Sequence, residues 1–197
     1  MEQFFMLNRR RYDVIRLYSL EPDGETYVVE AGNHPALLRR ITAPPGEQEA
    51  FTERVRVEMQ GAFRLPRLGI RTPYLIDADA ENGLFLKGLP TFEPLYDPLS
   101  LRHEIDGRYF SQMREMCRLL YDDGINIDYR PTNFSVRVGV LFYNGYFYKP
   151  YKSEENFSVA GKPLWTDTPE SRAFAENYDR RFRQFCCRTR GHVYDER

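Results

Sequence analysis

Lysine is scarce in this 197-residue chain: among 28 basic side chains only Lys87, Lys149, Lys152 and Lys162 are lysines. Arginine carries the rest, and 29 acidic residues bring the net charge to -1. That balance excludes bulk attraction to nucleic acid or to an anionic membrane. The arginine runs at Arg9 to Arg11 and at Arg180, Arg181, Arg183 and Arg188 are scattered and offset by acidic neighbours, so a nucleic-acid partner is not expected. Cysteine is also rare. Cys117, Cys186 and Cys187 are odd in number and irregularly spaced, which excludes a disulfide framework and points to the cytoplasm. His34, His103 and His192 lie far apart, so no Cys/His cluster has metal-ligand spacing. No run approaches the ~18 apolar residues of a membrane span. The apolar patch Met1 to Leu7 precedes Arg9 to Arg11, the reverse of the order in a secretory signal. What the chain does have is 42% hydrophobic and 15% aromatic residues, enough for a packed core.

Hydrophobic periodicity divides the chain. Tyr12 to Leu20, Thr26 to Ala31 and Ala36 to Thr42 read as three antiparallel strands, with turns at Pro22-Asp23-Gly24 and Gly32-Asn33. From Glu47 to about Phe63 the period becomes helical, with Phe51, Val55, Glu58 and Ala62 on one stripe. A carboxylate on that stripe has two readings. Either Glu58 has a buried partner, or Met59 carries the stripe and Glu58 sits at its wet edge. Thr72 to Ile76 and Gly83 to Leu86 read as two more strands, and Pro90 to Ser100 as a linker. A second helix carries Phe110, Met113, Cys117 and Leu120 and ends at Asp122-Asp123-Gly124. A hairpin follows, Phe134 to Arg137 and Val140 to Tyr143. The last helix begins at Thr168-Pro169-Glu170 and shows Phe174, Tyr178, Phe182 and Phe185 on one face.

Between the second helix and the hairpin lies Asp128-Tyr129-Arg130-Pro131-Thr132-Asn133-Phe134. Its Asp-x-x-x-x-Asn spacing alone means little, because Asp77 to Asn82 has it too. Its position after a long amphipathic helix and before a hairpin sets it apart. There it resembles the protein-kinase catalytic loop, H-R-D-x-x-x-x-N, and Arg130-Pro131 resembles the internal Lys-Pro of that loop. Residues 128 to 134 also resemble a D-Y-R-P-T-N-F segment of small bacterial kinase-like proteins, loosely related to the atypical and lipopolysaccharide kinases. Those proteins carry a downstream aromatic and then F-x-x-x-G-x-x-x-W, which Tyr151, Phe157, Gly161 and Trp165 match. The resemblance covers roughly residues 12 to 170.

The resemblance implies an α+β, protein-kinase-like two-lobe fold, truncated, in one domain. Residues 1–89 would form a five-stranded antiparallel N-terminal lobe with one helix, and residues 90–197 a reduced, mainly helical C-terminal lobe. It implies a serine/threonine-kinase-like transferase that uses ATP and Mg²⁺ on an unknown hydroxyl acceptor, or else a pseudokinase that binds a nucleotide or partner protein. Asp128 takes the catalytic-base position on an exposed loop, with Arg130 beside it, and Asn133 that of a metal ligand. Glu58 takes the place of the helix glutamate of the kinase ion pair. Its strand partner should be a lysine. Here Arg39 is the first choice and Arg40 the fallback, and arginine does not replace lysine as a point charge. The nucleotide would lie against Leu86-Lys87-Gly88-Leu89, which makes Lys87 and Leu89 cofactor-site residues. Two parts of the family pattern are missing. There is no G-x-G-x-x-G loop, and the metal-binding aspartate falls on Asn144, or in another register on Gly145.

Overall fold

The computed structural model describes residues 4–42, 46–88, 93–96 and 105–189. Strands β1 (Phe4–Leu7), β2 (Arg10–Glu21), β3 (Gly24–Ala31) and β4 (His34–Ile41) come first, then helix α1 (Gln48–Arg67), then β5 (Leu75–Asp79) and β6 (Leu84–Gly88). The six strands form one antiparallel sheet in the order β1-β2-β3-β4-β6-β5. The sheet curls until its edges meet, where the Asn8 side chain donates to Asp77 Oδ1 (2.8 Å) and to the Ala78 carbonyl (3.3 Å). Curling of this kind protects edge strands, which otherwise expose unpaired backbone groups.

Because β3 and β4 are apolar on both faces, both faces are covered. Tyr27, Val29, Ala36, Leu38, Leu84 and Leu86 pack on one side with Phe5 and Leu7 of β1. On the other side Ile41 and Phe85 receive Val55 of α1. A sequence reading of five strands misses β1, because Phe4 to Leu7 lies outside the meander that begins at Tyr12. Three other boundaries differ from the sequence reading. Helix α1 continues past Phe63 to Arg67, β5 runs Leu75–Asp79 instead of beginning at Thr72, and Glu93–Pro94 of the expected linker pairs with the later hairpin. Residues 90–92 and 97–100 of that linker, and Leu89, lie outside the described residues.

The second half carries α2 (Arg108–Asp122) and the short strand β8 (Ile125–Asn126), with β7 (Glu93–Pro94) beside the hairpin β9 (Phe134–Arg137) and β10 (Val140–Tyr143). Next come β11 (Lys149–Pro150), the short α3 (Lys162–Trp165) and α4 (Pro169–Thr189). Helix α2 ends where Gly124 takes a φ of 70°, a conformation that favours glycine. Helix α4 is capped by Thr168, whose Oγ1 accepts from the Ser171 amide at 3.1 Å. Met113, Leu120, Phe134, Leu141, Phe157 and Trp165 form the core of this half. Trp165 Nε1 donates to the Tyr129 carbonyl at 2.7 Å, so the downstream aromatic motif fixes the 128–134 loop from behind. Gly161 sits so close that a Cβ would lie 2.6 Å from that of Tyr129. Among the described residues no helix is long and apolar enough to cross a membrane.

Candidate functional site

The register of the sheet places a polar row inside an apolar one. Ser19 pairs with Thr26 and Thr26 with Arg39, so three polar side chains from β2, β3 and β4 point to the α1 side together. Arg39 is 4% exposed. Its guanidinium is held by three carboxylates: Glu21 (Nη1–Oε2 2.6 Å), Asp23 (Nη2–Oδ1 3.0 Å) and Glu58 (Nε–Oε1 3.3 Å). Burial alone would make this arginine easier to deprotonate, but Glu21, Glu58 and Asp23 together hold it above the usual arginine range. Arg40, one residue on, turns to the opposite face and pairs with Glu25 at 3.0 Å. The two strand-four arginines are thereby distinguished.

Glu58 is fully buried on the core side of α1. Besides Arg39 it meets Arg54 Nη2 at 3.3 Å, and its Oε2 accepts from the Tyr146 amide at 2.9 Å. Arg54 also reaches Asp23 (Nε–Oδ2 2.6 Å) and lies over the Phe147 ring, 3.4 Å from its centroid. A buried carboxylate at this depth needs such partners, since removing one member of a buried pair costs about 3–5 kcal/mol.

The 128–134 loop closes the cluster from the other side. Asp128 is about a quarter exposed, not on an open loop as its surroundings in sequence suggested, because Arg130 folds back over it. Arg130 Nε contacts both carboxylate oxygens at 2.9 Å, and its amide donates to Oδ1 at 3.1 Å. Burial pushes the Asp128 carboxyl up, and the Arg130 hydrogen bonds reverse this and leave it below the usual aspartate range. Asn133 is buried, and its Nδ2 donates to the Asp128 carbonyl at 3.3 Å. Its own carbonyl accepts from the Asn144 amide at 2.8 Å, which joins the loop to the end of β10. Asn144 uses both ends of its amide: Oδ1 accepts from Ser135 Oγ at 2.6 Å, and Nδ2 donates to Tyr18 Oη at 3.3 Å.

Lys87 lies on β6 opposite Leu37 and is 1% exposed. Its Nζ donates to the Asn144 carbonyl at 2.9 Å and sits 4.2 Å from the centre of the Tyr146 ring. Burial pushes this ammonium down to about 8, against the pull of Glu58.

One small, partly open space of about 20 Å³ is lined by Arg39, Glu58, Asp128, Arg130, Asn133, Asn144 and Gly145, together with Ser19, Glu21 and Arg54. It has room for about one water molecule. Of the site residues singled out by sequence, it gathers all but Lys87, which sits just behind Asn144, Arg40, which lies on the opposite face, and Leu89. Larger surface hollows lie elsewhere, one along α4 beside Arg180 and one between Tyr96, Phe110, Trp165 and Phe174. Among the described residues no group of three or more His, Cys, Asp or Glu side chains could hold a metal ion.

Glu21, Asp23 and Arg54 are members of the charge cluster that sequence reasoning missed. Glu21 shares strand phase with Ser19, and Arg54 stands four residues before Glu58 on one helix face, so both had a signal in the pattern. Asp23 had none, since it looks like any hairpin-turn aspartate. Compared with models of known protein families and with curated proteins, the chain matches none.

Proposed function

We propose that this chain is a truncated kinase-like protein that no longer transfers phosphate and serves as a binding module, a pseudokinase whose partner is another protein. The observation that carries this reading is a charge cluster whose arginines are paired with the chain's own carboxylates. A strand arginine paired with a helix glutamate, facing an Asp-x-x-x-x-Asn loop, is the arrangement a kinase-like fold would place around nucleotide phosphates. Here the protein's own carboxylates, Glu21 and Asp23, already occupy the arginines.

The residues do not fit ATP with Mg²⁺. Ligand pockets run to about 300–1,000 Å³, and the space between these groups is about 20 Å³. Tyr18, Val28 and Leu37 pack together, and Lys87 fills the position facing Leu37 on the next strand. Asn144 has no charge to give a hard cation, and both ends of its amide are engaged.

The phosphotransferase reading keeps one observation in its favour. Asp128 and Asn133 are held on one rigid loop whose backbone is bonded directly to Asn144. Calorimetric titration separates the two. ATP, with or without Mg²⁺, should give no heat of binding to the wild type. Asn144→Asp is accommodated, because Tyr18 and Ser135 can both donate to a carboxylate there, and it too should fail to bind. Mg²⁺-dependent binding by the wild type, with phosphotransfer that disappears in Asp128→Ala, would establish the kinase instead.

A further inference from the structure

Asp23 is the feature of the cluster with no counterpart in a fold that needs open arginines. It sits on the two-residue turn between β2 and β3. One oxygen meets a sheet arginine and the other a helix arginine: Oδ1 to Arg39 Nη2 at 3.0 Å and Oδ2 to Arg54 Nε at 2.6 Å. Two guanidiniums converging on one small anion is the geometry by which proteins hold a phosphoryl group. The Arg54 Nε contact is close but lacks hydrogen-bond alignment. Asp23 is also the most accessible of the three carboxylates on Arg39, 29% exposed against 7% for Glu21 and 1% for Glu58.

The turn itself is pinned. The Asp23 carbonyl accepts from the Thr42 amide at 2.8 Å. Gly24 lies so near β4 that a Cβ would fall 1.9 Å from the Arg40 carbonyl. Freeing the edges of the two guanidiniums that Asp23 covers therefore takes rotation of one side chain and no movement of the hairpin, while Glu21 and Glu58 stay on Arg39 and Glu58 on Arg54.

We propose that Asp23 is a built-in competitor: its carboxylate occupies an anion site on Arg39 and Arg54 that accepts a terminal phosphoryl group when Asp23 swings out. The inference rests on reading the cluster as a closed phosphate-side cleft. The charge count supports an exchange over simple addition. Three arginines (Arg39, Arg54, Arg130) are already paired with four carboxylates (Glu21, Asp23, Glu58, Asp128). An anion that entered without displacing one would meet repulsion from the rest.

Removing the competitor should expose the site. Asp23→Asn keeps the size of the side chain and removes the charge, and Asp23→Ser is the second variant should the first fail to fold. Inorganic triphosphate should bind either variant at least about tenfold more tightly than the wild type, because a tethered competitor acts at high effective concentration. It should also raise the melting temperature of the variant but not of the wild type. Adding Arg54→Gln to Asp23→Asn should abolish that binding. Equal affinity for variant and wild type, equal stabilisation by sodium chloride at matched ionic strength, or binding that survives Arg54→Gln would each overturn the proposal. These outcomes leave the pseudokinase reading intact. Phosphotransfer from Mg²⁺-ATP by the wild type would sink that reading without bearing on whether triphosphate distinguishes Asp23→Asn.

Discussion

A lysine with 1% exposure, one carbonyl partner and one aromatic neighbour is costly to keep charged. The Lys87 ammonium is pushed from its ordinary 10.5 down to about 8. In the unfolded chain it returns to about 10.4. Between these values the unfolded state holds more protons than the folded one, so stability contributed by this group rises with pH over that window. Below about 8 the burial cost is present in full. Lys87→Met should therefore match or exceed the wild type in stability at pH 7, by up to roughly 3 kcal/mol from the size of the shift. Its advantage should shrink as pH rises toward 10. Urea midpoints of both proteins at pH 7 and pH 9.5 test this, and an advantage independent of pH would mean that the lysine is not burdened by its charge. The same residue marks where sequence reasoning stops. Strand phase turns Arg39 inward, while helical phase leaves Glu58 either buried with a partner or at a wet edge, and the structure buries it on Arg39. The buried depth of Lys87 follows from its pairing with Leu37 and Leu75, a register that no local pattern states.

Helix α1 positions Glu58, and a glycine on the same face sets how closely it can lie. Gly61 faces the chain just after β10, where an added Cβ would fall 1.7 Å from the Tyr146 carbonyl oxygen and 3.3 Å from the Tyr148 ring. That approach lets the Tyr146 amide reach Glu58. By intrinsic propensity Gly61→Ala should stabilise a helix interior by about 1 kcal/mol. The backbone contact reverses the sign, because neither α1 nor the segment carrying Tyr146 can move without breaking the Glu58 contacts. We expect a net loss of about 2 kcal/mol or more, in the range of overpacking. Circular dichroism melting of Gly61→Ala beside the exposed control Phe63→Ala checks it. A melting temperature at or above the wild type would show that α1 has slack. At this scale the sequence was informative about element type and weaker about ends. The stripe Val55, Glu58, Ala62 announces α1, and Thr168-Pro169 announces α4. β1 is short and sits before the first turn recognised in the sequence, and it is held by pairing with β2 and by Phe5 and Leu7 in the sheet core.

Across the whole molecule, three contacts stand out among the many that tie the sheet to the helical half, which also include Lys87 on Asn144, Asn144 on Tyr18 and the Tyr146 hydroxyl on the Pro73 carbonyl. The first is the Glu58 to Tyr146 bond. The second is Arg64 on Asp123, with Nη2–Oδ2 at 2.6 Å. The third is α4, which crosses from one half to the other. Phe174 and Tyr178 pack with Tyr96, while Phe185 reaches the Tyr27 ring in the sheet, 6.4 Å between centroids. Tyr178 also accepts the Leu20 amide at 3.0 Å, closing β2 against the helix. The Glu58 and Tyr178 joints are buried, so opening either would leave unpaired groups, and both halves should unfold together. Trp165, the only tryptophan, reports on the helical core. The amides of Val29 and Leu38 report on the sheet. Unfolding free energies from Trp165 fluorescence in urea and from hydrogen exchange at Val29 and Leu38 should agree. Tyr178→Phe removes the acceptor for the Leu20 amide and should lower both values by the same amount, about 1 kcal/mol. A loss confined to Val29 and Leu38, with the Trp165 transition unmoved, would mean that the sheet and the helical half are separately stable and that the charge cluster between them is a hinge.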